Sequence, residues 1–192
     1  MDKIVCLVGE SGCGKSSVAE ILEKDGYNYI LSYTDRKKRN INEKGHIFIG
    51  VSYETWLSMH KDSEIIAETF FDKHHYWSIK EQYKNKGVSI YTVDPRGVRD
   101  LKKLTNDAEV IAIYLKCDEI NRISRMKKDN RTLDSINDRI ENDREAFRIV
   151  ECDYVVDANK ELEDVVEAVK EVIKLDKVKL EFTIKSVQYK TL

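Results

Sequence analysis

Apolar residues follow two rhythms along this chain. Lys3-Ile-Val-Cys-Leu-Val8 is a short apolar run that stops at Gly9, the pattern of a strand buried on both faces of a sheet. Tyr27–Leu31, Val88–Val93, Val110–Leu115 and Tyr154–Val156 repeat that signal. Between these runs the spacing changes to three and four. Val18, Ile21 and Leu22 predict a helix from Lys15 to a stop at Gly26, and a second helix runs from Asp94-Pro95-Arg96-Gly97 to Leu104. Leu162, Val165, Val166, Val169, Val172 and Ile173 form an amphipathic helix. Cys117–Phe147 is charged and helical, with Ile120, Ile123, Met126, Ile136 and Ile140 as apolar positions and a break over Lys128–Leu133. It predicts two helices joined by a turn. Strands alternating with helices give an α/β fold with a mainly parallel core sheet flanked by helices.

Two stretches depart from this alternation. Between Ser32 and Ser78 the apolar pieces are short (Ile47–Val51, Ile65–Phe71, Tyr76-Trp77) and a small helix falls near Tyr53–His60, which predicts a small inserted β subdomain. After residue 176, Val178, Leu180, Phe182 and Ile184 alternate with polar residues, as in an appended half-buried strand. The expected organisation is one domain over residues 1–192. Its core comprises 1–31, 79–120 and 150–176, with an insert at 32–78, a helical lid at about 121–149 and a strand extension at 177–192.

Composition narrows the function classes. The 192 residues carry 33 Lys and Arg against 35 Asp and Glu, a net charge of -2, so bulk charge gives no support for a nucleic-acid or membrane partner. The apolar run near the N-terminus is far too short for a membrane span, and the chain reads as soluble and cytoplasmic, a monomer or homodimer. Cys6, Cys13, Cys117 and Cys152 lack paired metal spacing and read as free thiols with no structural zinc. Lysines are spread throughout, whereas the arginines fall in three segments: Arg36 and Arg39, Arg96 and Arg99, and Arg122 to Arg148. Guanidinium groups make forked contacts to phosphate, so their clustering carries more information than the total charge.

Gly9-Glu10-Ser11-Gly12-Cys13-Gly14-Lys15-Ser16 fits G-x-x-x-x-G-K-[ST] and sits between a buried strand and a helix. In that setting the backbone N–H groups turn toward phosphate oxygens and the helix N-terminus adds favourable partial charge. Lys15 would reach the outer phosphates and Ser16 would ligate Mg²⁺. The loop names a binding site and leaves the reaction open.

A second cationic segment, Ser32-Tyr-Thr-Asp-Arg36-Lys-Lys-Arg39, follows the next strand. It can therefore lie at the carboxyl ends of the strands, where α/β folds bind ligands. Gly45-His-Ile-Phe48, Ser52, Glu68, Tyr76-Trp-Ser78, Val93-Asp94-x-x-Gly97, Ser135-Ile-Asn-Asp-Arg139, Asp153-Tyr-Val-Val and Asn159 continue the pattern. Over about residues 3–175 the chain resembles the guanylate kinases. The resemblance implies a P-loop kinase fold and ATP-dependent phosphorylation of GMP or dGMP, with ATP and Mg²⁺ as cofactors and nucleotides as partners. It implies that Arg36, Arg39 and Tyr76 hold the acceptor phosphate beside Phe48, and that Ser32, Glu68 and Ser78 read guanine. A carboxylate can accept from both guanine N1–H and the N2 amino group, so Glu68→Gln is expected to damage GMP use selectively. Asp94 is placed to hold a Mg²⁺-bound water, to contact the acceptor or to cap a helix. The family usually has Thr at Asp35, Glu at Asn42 and Tyr at Phe48, with one more residue between the positions of Glu68 and Tyr76. Glu43 is one residue from the expected carboxylate.

Phosphoryl transfer is carried mainly by positioning and by cations around the moving group. Among the lid arginines, Arg125 and Arg139 match the family's by position, and Arg131 does so if the lid is shorter, with Lys128 the ungapped competitor. Arg122, Arg144 and Arg148 read as a solvated helix face. The expected catalytic set is Lys15, Arg36, Arg125 and Arg139. The expected ATP set is Gly9, Ser11, Gly12, Cys13, Gly14, Lys15, Ser16, Ser17, Arg131 and Asn159, with metal at Ser16 and, through water, Asp94. Two alternatives stay open: a kinase for another nucleotide or phosphorylated small molecule, and a non-catalytic module binding a phosphopeptide.

Overall fold

Every side chain from Ile4 to Val8 is enclosed, and a segment apolar on both sides belongs at the centre of a sheet. The computed structural model describes residues 1–38, 41, 43–71, 73–175 and 187–188. In chain order its first half runs β1 (Asp2–Val8), α1 (Lys15–Lys24), β2 (Asn28–Ile30), β3 (Tyr33–Thr34), β4 (Ile47–Phe48), α2 (Tyr53–Met59), β5 (Ile65–Phe71) and β6 (His74–Ile79). There follow β7 (Val88–Thr92), α3 (Pro95–Leu104), β8 (Ala108–Lys116), α4 (Glu119–Lys128), α5 (Leu133–Ala146), β9 (Ile149–Val150), β10 (Tyr154–Asp157), α6 (Leu162–Lys174) and β11 (Val187–Gln188).

The main sheet has the order β10-β8-β1-β7-β2 and every pairing in it is parallel. Successive β1 side chains point to opposite faces. Val5 and Leu7 meet Val18 and Leu22 of α1 and Val166 and Val169 of α6. Ile4, Cys6 and Val8 meet Val98 and Leu101 of α3. Each large aliphatic chain buried this way contributes about 1.5–3 kcal/mol, so the two covered faces fix where the carboxyl ends of β1, β2 and β7 lie. Among the described residues no helix is long and apolar enough to cross a membrane.

Residues 33–79 build a second sheet in the order β4-β3-β6-β5. Tyr53 and Trp56 of α2 cluster with Trp77 and Ile79 on one of its faces. The β5–β6 register sets Ala67 opposite Ser78, Glu68 opposite Trp77 and Thr69 opposite Tyr76, after an irregularity between Ile65 and Ala67. Ala67, Thr69, Tyr76 and Ser78 therefore share one face, and Glu68 and Trp77 share the other.

The charged stretch divides into α4 and α5 as its broken periodicity predicts, and the Thr132 hydroxyl caps α5 by accepting from Ser135 N–H. Met126, Ile136 and Ile140 form their shared core, whereas Ile120 is 76% exposed. β3, β4 and β9 are only two residues long, too short to show a period. The expected strand through Val178–Ile184 falls outside the described residues; Val187–Gln188 pairs antiparallel with Ile149–Val150.

Gly97 lies in the first turn of α3, where an added Cβ would collide with the Val93 side chain. Gly97→Ala is expected to cost about 1–3 kcal/mol by overpacking, read as a lowered urea midpoint. An unchanged midpoint would show that the strand-to-helix corner has slack.

Candidate active site

Strand β1 ends at Val8 and α1 begins at Lys15, with the phosphate-loop motif between them. Gly12 and Gly14 have φ of 81° and 101°, a region that disfavours side chains. A Cβ on Gly12 would also stand 2.7 Å from the Arg122 carbonyl oxygen, so α4 packs directly on the loop. Lys15 Nζ donates to the carbonyls of Gly9 at 2.5 Å and Glu10 at 3.1 Å. The ammonium thus lies folded over the loop. Ser11, Lys15 and Ser16 open on a cleft of about 590 Å³.

Opposite the loop, β3 and β6 bring Arg36 and Tyr76 to the same cleft. Arg36 is 7% exposed. Its two terminal nitrogens donate to the Glu43 carboxylate at 2.7 and 3.2 Å, and its Nε donates to the Tyr76 hydroxyl at 3.1 Å. These bonds, Glu43 foremost, push the Arg36 pKa above its already high ordinary value. Phe48 does not border the cleft; the Arg36 guanidinium carbon lies 5.2 Å from its ring centroid and Lys38 Nζ 5.3 Å, so Phe48 supports the cations by cation–π contact. Arg39 and Asn42 lie outside the described residues.

Of the three residues expected to read a base, Ser32 and Glu68 line the cleft. Ser78 is completely enclosed, and the wall in front of it is Tyr91, whose hydroxyl is 2.9 Å from Ser32 Oγ. Glu68 borders the cleft, but its carboxylate accepts from the Tyr53 hydroxyl at 2.7 Å and lies 3.2 Å from His75 Nδ1. Tyr53 stacks on His75 with centroids 4.2 Å apart. Glu68 and Ser32 thus border one cleft and Ser78 does not; the hairpin register sets the Glu68 side chain on the face opposite Ser78, bonded to Tyr53 of α2. Asp94 caps α3, accepting from Gly97 N–H at 2.7 Å and from the Thr69 hydroxyl at 3.3 Å, and it also lines the cleft.

The lid contributes Arg131 and Arg139 to the cleft wall. Arg125 goes elsewhere. Its guanidinium donates to the Cys13 carbonyl at 3.1 Å and the Ala158 carbonyl at 2.8 Å, and it lines a second cleft of about 380 Å³. Cys13, Gly14, Ser17, Lys128 and Asn159 line the same cleft. Asn159 Oδ1 accepts from Asp118 N–H and Asn121 Nδ2, both at 2.9 Å. Lys128 and Arg131, alternatives in sequence, therefore occupy different clefts.

Arg122 is not solvated: it is 6% exposed and donates to Asp143 at 3.1 Å. Asp143 also accepts from Ser11 N–H at 2.8 Å and Ser11 Oγ at 3.2 Å, joining both lid helices to the phosphate loop. Arg144, in contrast, makes an exposed pair with Glu141. The available signal for Arg122 was its spacing of four from Met126, since both meet Gly12. Nothing in the sequence distinguished Asp143 from the other acidic residues of α5.

For a metal, no group of three or more His, Cys, Asp or Glu side chains with suitable placement occurs among the described residues. Ser16 and Asp94 fit Mg²⁺, which commonly takes one or two protein ligands and fills its octahedron with water and phosphate oxygens.

A family model described as guanylate kinase matches residues 1–176. No curated protein sequence matches. Among solved structures, guanylate kinase from Anaplasma phagocytophilum superposes with a TM-score of 0.65 at 16% identity, over 97% of this chain and 90% of that one. A protein designated APE1195 superposes with a TM-score of 0.49 at 15% identity, over 90% of this chain and 95% of that one.

Proposed function

The chain belongs to the guanylate kinase family, and from that premise we propose that it transfers the γ-phosphoryl group of ATP to a nucleoside monophosphate, GMP or dGMP. The observation that supports the proposal is that Lys15 and Ser16, Arg36 and Tyr76, and Arg131 and Arg139 all line one cleft. An acceptor phosphate is anionic at neutral pH, so its oxygen can attack the γ-phosphorus without a side-chain base. The new P–O bond forms as the bond to the β-phosphate oxygen breaks, and that oxygen leaves as the terminus of ADP. Lys15 neutralises the charge moving onto the leaving side, and the one Arg36 N–H not given to Glu43, Tyr76 or the Lys37 carbonyl holds the nucleophile in line. Ser16 and, through water, Asp94 would hold Mg²⁺, which would supply charge neutralisation on the triphosphate. Arg125, fixed beneath the loop by two carbonyls, positions the second cleft for the ATP base.

ADP release measured with GMP, dGMP, AMP, CMP, UMP and dTMP tests this reading. Turnover with GMP or dGMP is the expected result. Turnover only with another base transfers the assignment to that nucleotide, and none with any monophosphate removes the kinase.

Asp143 adds a quantitative expectation. Its carboxylate occupies a loop amide, Ser11 N–H, that faces the phosphate cleft, so it competes with nucleotide phosphate. Asp143→Asn, which keeps the shape and lowers the charge, is expected to reduce the ATP KM about three- to tenfold, the worth of one charge-assisted hydrogen bond against a neutral one. A raised KM would mean that the carboxylate organises the loop for ATP instead.

A further inference from the structure

We propose that the acceptor base is read by the Tyr91 and Ser32 hydroxyls, and that Glu68 is a positioning residue which fixes the β5–β6 hairpin to α2. This deepens the nucleotide-kinase reading above and rests on it. Three independent features lead to it.

The first is register. In β5 the side chains on the cleft face are Ala67 and Thr69, because Ala67 pairs with Ser78 and Thr69 with Tyr76. Glu68 pairs with Trp77, which is fully buried in the cluster with Tyr53 and Trp56. A strand alternates, so the Glu68 side chain leaves β5 on the face opposite Ser78 and borders the cleft only from the edge strand of the sheet. The residue opposite Ser78 on the cleft face is Ala67, whose side chain can accept nothing.

The second is what holds Glu68. One carboxylate oxygen accepts from Tyr53 and the other lies against His75, and the Tyr53 and His75 rings stack on each other. Burial and the bond to Glu68 push the Tyr53 pKa up, so the phenol remains a donor at neutral pH. This trio closes α2 onto the hairpin.

The third is Tyr91. It stands near the end of β7, paired with Ile30 at the end of β2, and Ser32 follows two residues later; Tyr91 and Ser32 both line the cleft. Burial pushes the Tyr91 pKa up, keeping its proton. Two hydroxyls 2.9 Å apart bond to each other and, with the Ser78 hydroxyl also beside Tyr91, retain a further O–H and lone pairs. They can donate to a base carbonyl or ring nitrogen, or accept from an amino group. A fixed carboxylate accepts only. Base choice through a hydroxyl pair is therefore weaker than through a carboxylate, because a mismatched base leaves no buried charge unpaired.

The test compares kcat/KM for GMP, IMP and AMP in the unaltered protein, Glu68→Gln and Tyr91→Phe, with thermal midpoints recorded for each. IMP differs from GMP by the N2 amino group and isolates the donor that a carboxylate would bind. In Glu68→Gln the GMP/IMP and GMP/AMP ratios are expected to stay within about twofold, with any loss shared by all three nucleotides. In Tyr91→Phe, which preserves the ring and its packing, at least one ratio is expected to move by about three- to tenfold, the worth of one hydrogen bond. A selective collapse of GMP use by tenfold or more in Glu68→Gln overturns the inference and leaves the kinase reading intact. Unchanged ratios in Tyr91→Phe also overturn it. If the unaltered protein turns over no monophosphate, the kinase reading falls and this inference with it.

Discussion

Lys15→Met is expected to lower phosphoryl transfer by about a hundredfold to a thousandfold, the usual cost of removing one preorganised donor from a developing anion. The prediction is sharp because Lys15 has little structural work. Its side-chain bonds are to the carbonyls of Gly9 and Glu10, within the loop itself, and methionine preserves most of the stem volume. The thermal midpoint should therefore hold while kcat falls. A variant within tenfold of the parent would mean that the loop binds phosphate without driving transfer, and the phosphopeptide-binding alternative would gain. Loss of both activity and midpoint would instead point to a loop that needs the ammonium to fold.

Arg36→Met should act on the acceptor. This guanidinium is nearly enclosed, is forked onto Glu43 and bonded to Tyr76, and stands over Phe48. One charge-assisted contact to phosphate, from the N–H that Glu43, Tyr76 and the Lys37 carbonyl leave, is worth about 1.5–3 kcal/mol, so the acceptor KM is expected to rise roughly ten- to a hundredfold while the ATP KM stays within about twofold. Arg36→Lys should recover only part of the loss, since an ammonium cannot serve Glu43, Tyr76 and a phosphate from one plane. Equal increases in both KM values would place Arg36 between the substrates and not behind the acceptor.

The core strands were legible because a parallel sheet covered on both faces forces continuous apolar runs, and β1 is such a run from Ile4 to Val8. The loop was legible because its chemistry demands glycine and lysine at fixed intervals. Arg36 was found from its position after the second strand, and the carboxylate one residue from the expected place proved to pair with it. Glu68 was harder. Strand parity reverses with a single residue, and the irregularity between Ile65 and Ala67 leaves no mark in composition. Arg122 looked solvated because acidic neighbours surround it in sequence, yet the face it occupies is set by how closely Gly12 lets α4 approach. Helical spacing gives faces, and the partner decides which face is inside. Tyr91 went unremarked because an aromatic in a buried strand reads as core; only the neighbouring strand reveals that its hydroxyl reaches Ser32.

The sheet order has a consequence for how the molecule assembles. β1 is made before the other strands of its sheet, yet Lys3 finds its partners at Val88 and Glu109, so the central strand waits until nearly the midpoint of the chain for its first neighbour and beyond it for the second. Local helices such as α1 can form early, but closing such long loops costs entropy before any pairing rewards it. The apolar edge from Ile4 to Val8 is therefore the segment most in need of shelter on the ribosome. Refolding should be slow compared with a helical bundle of this size, and losses during refolding should rise with protein concentration.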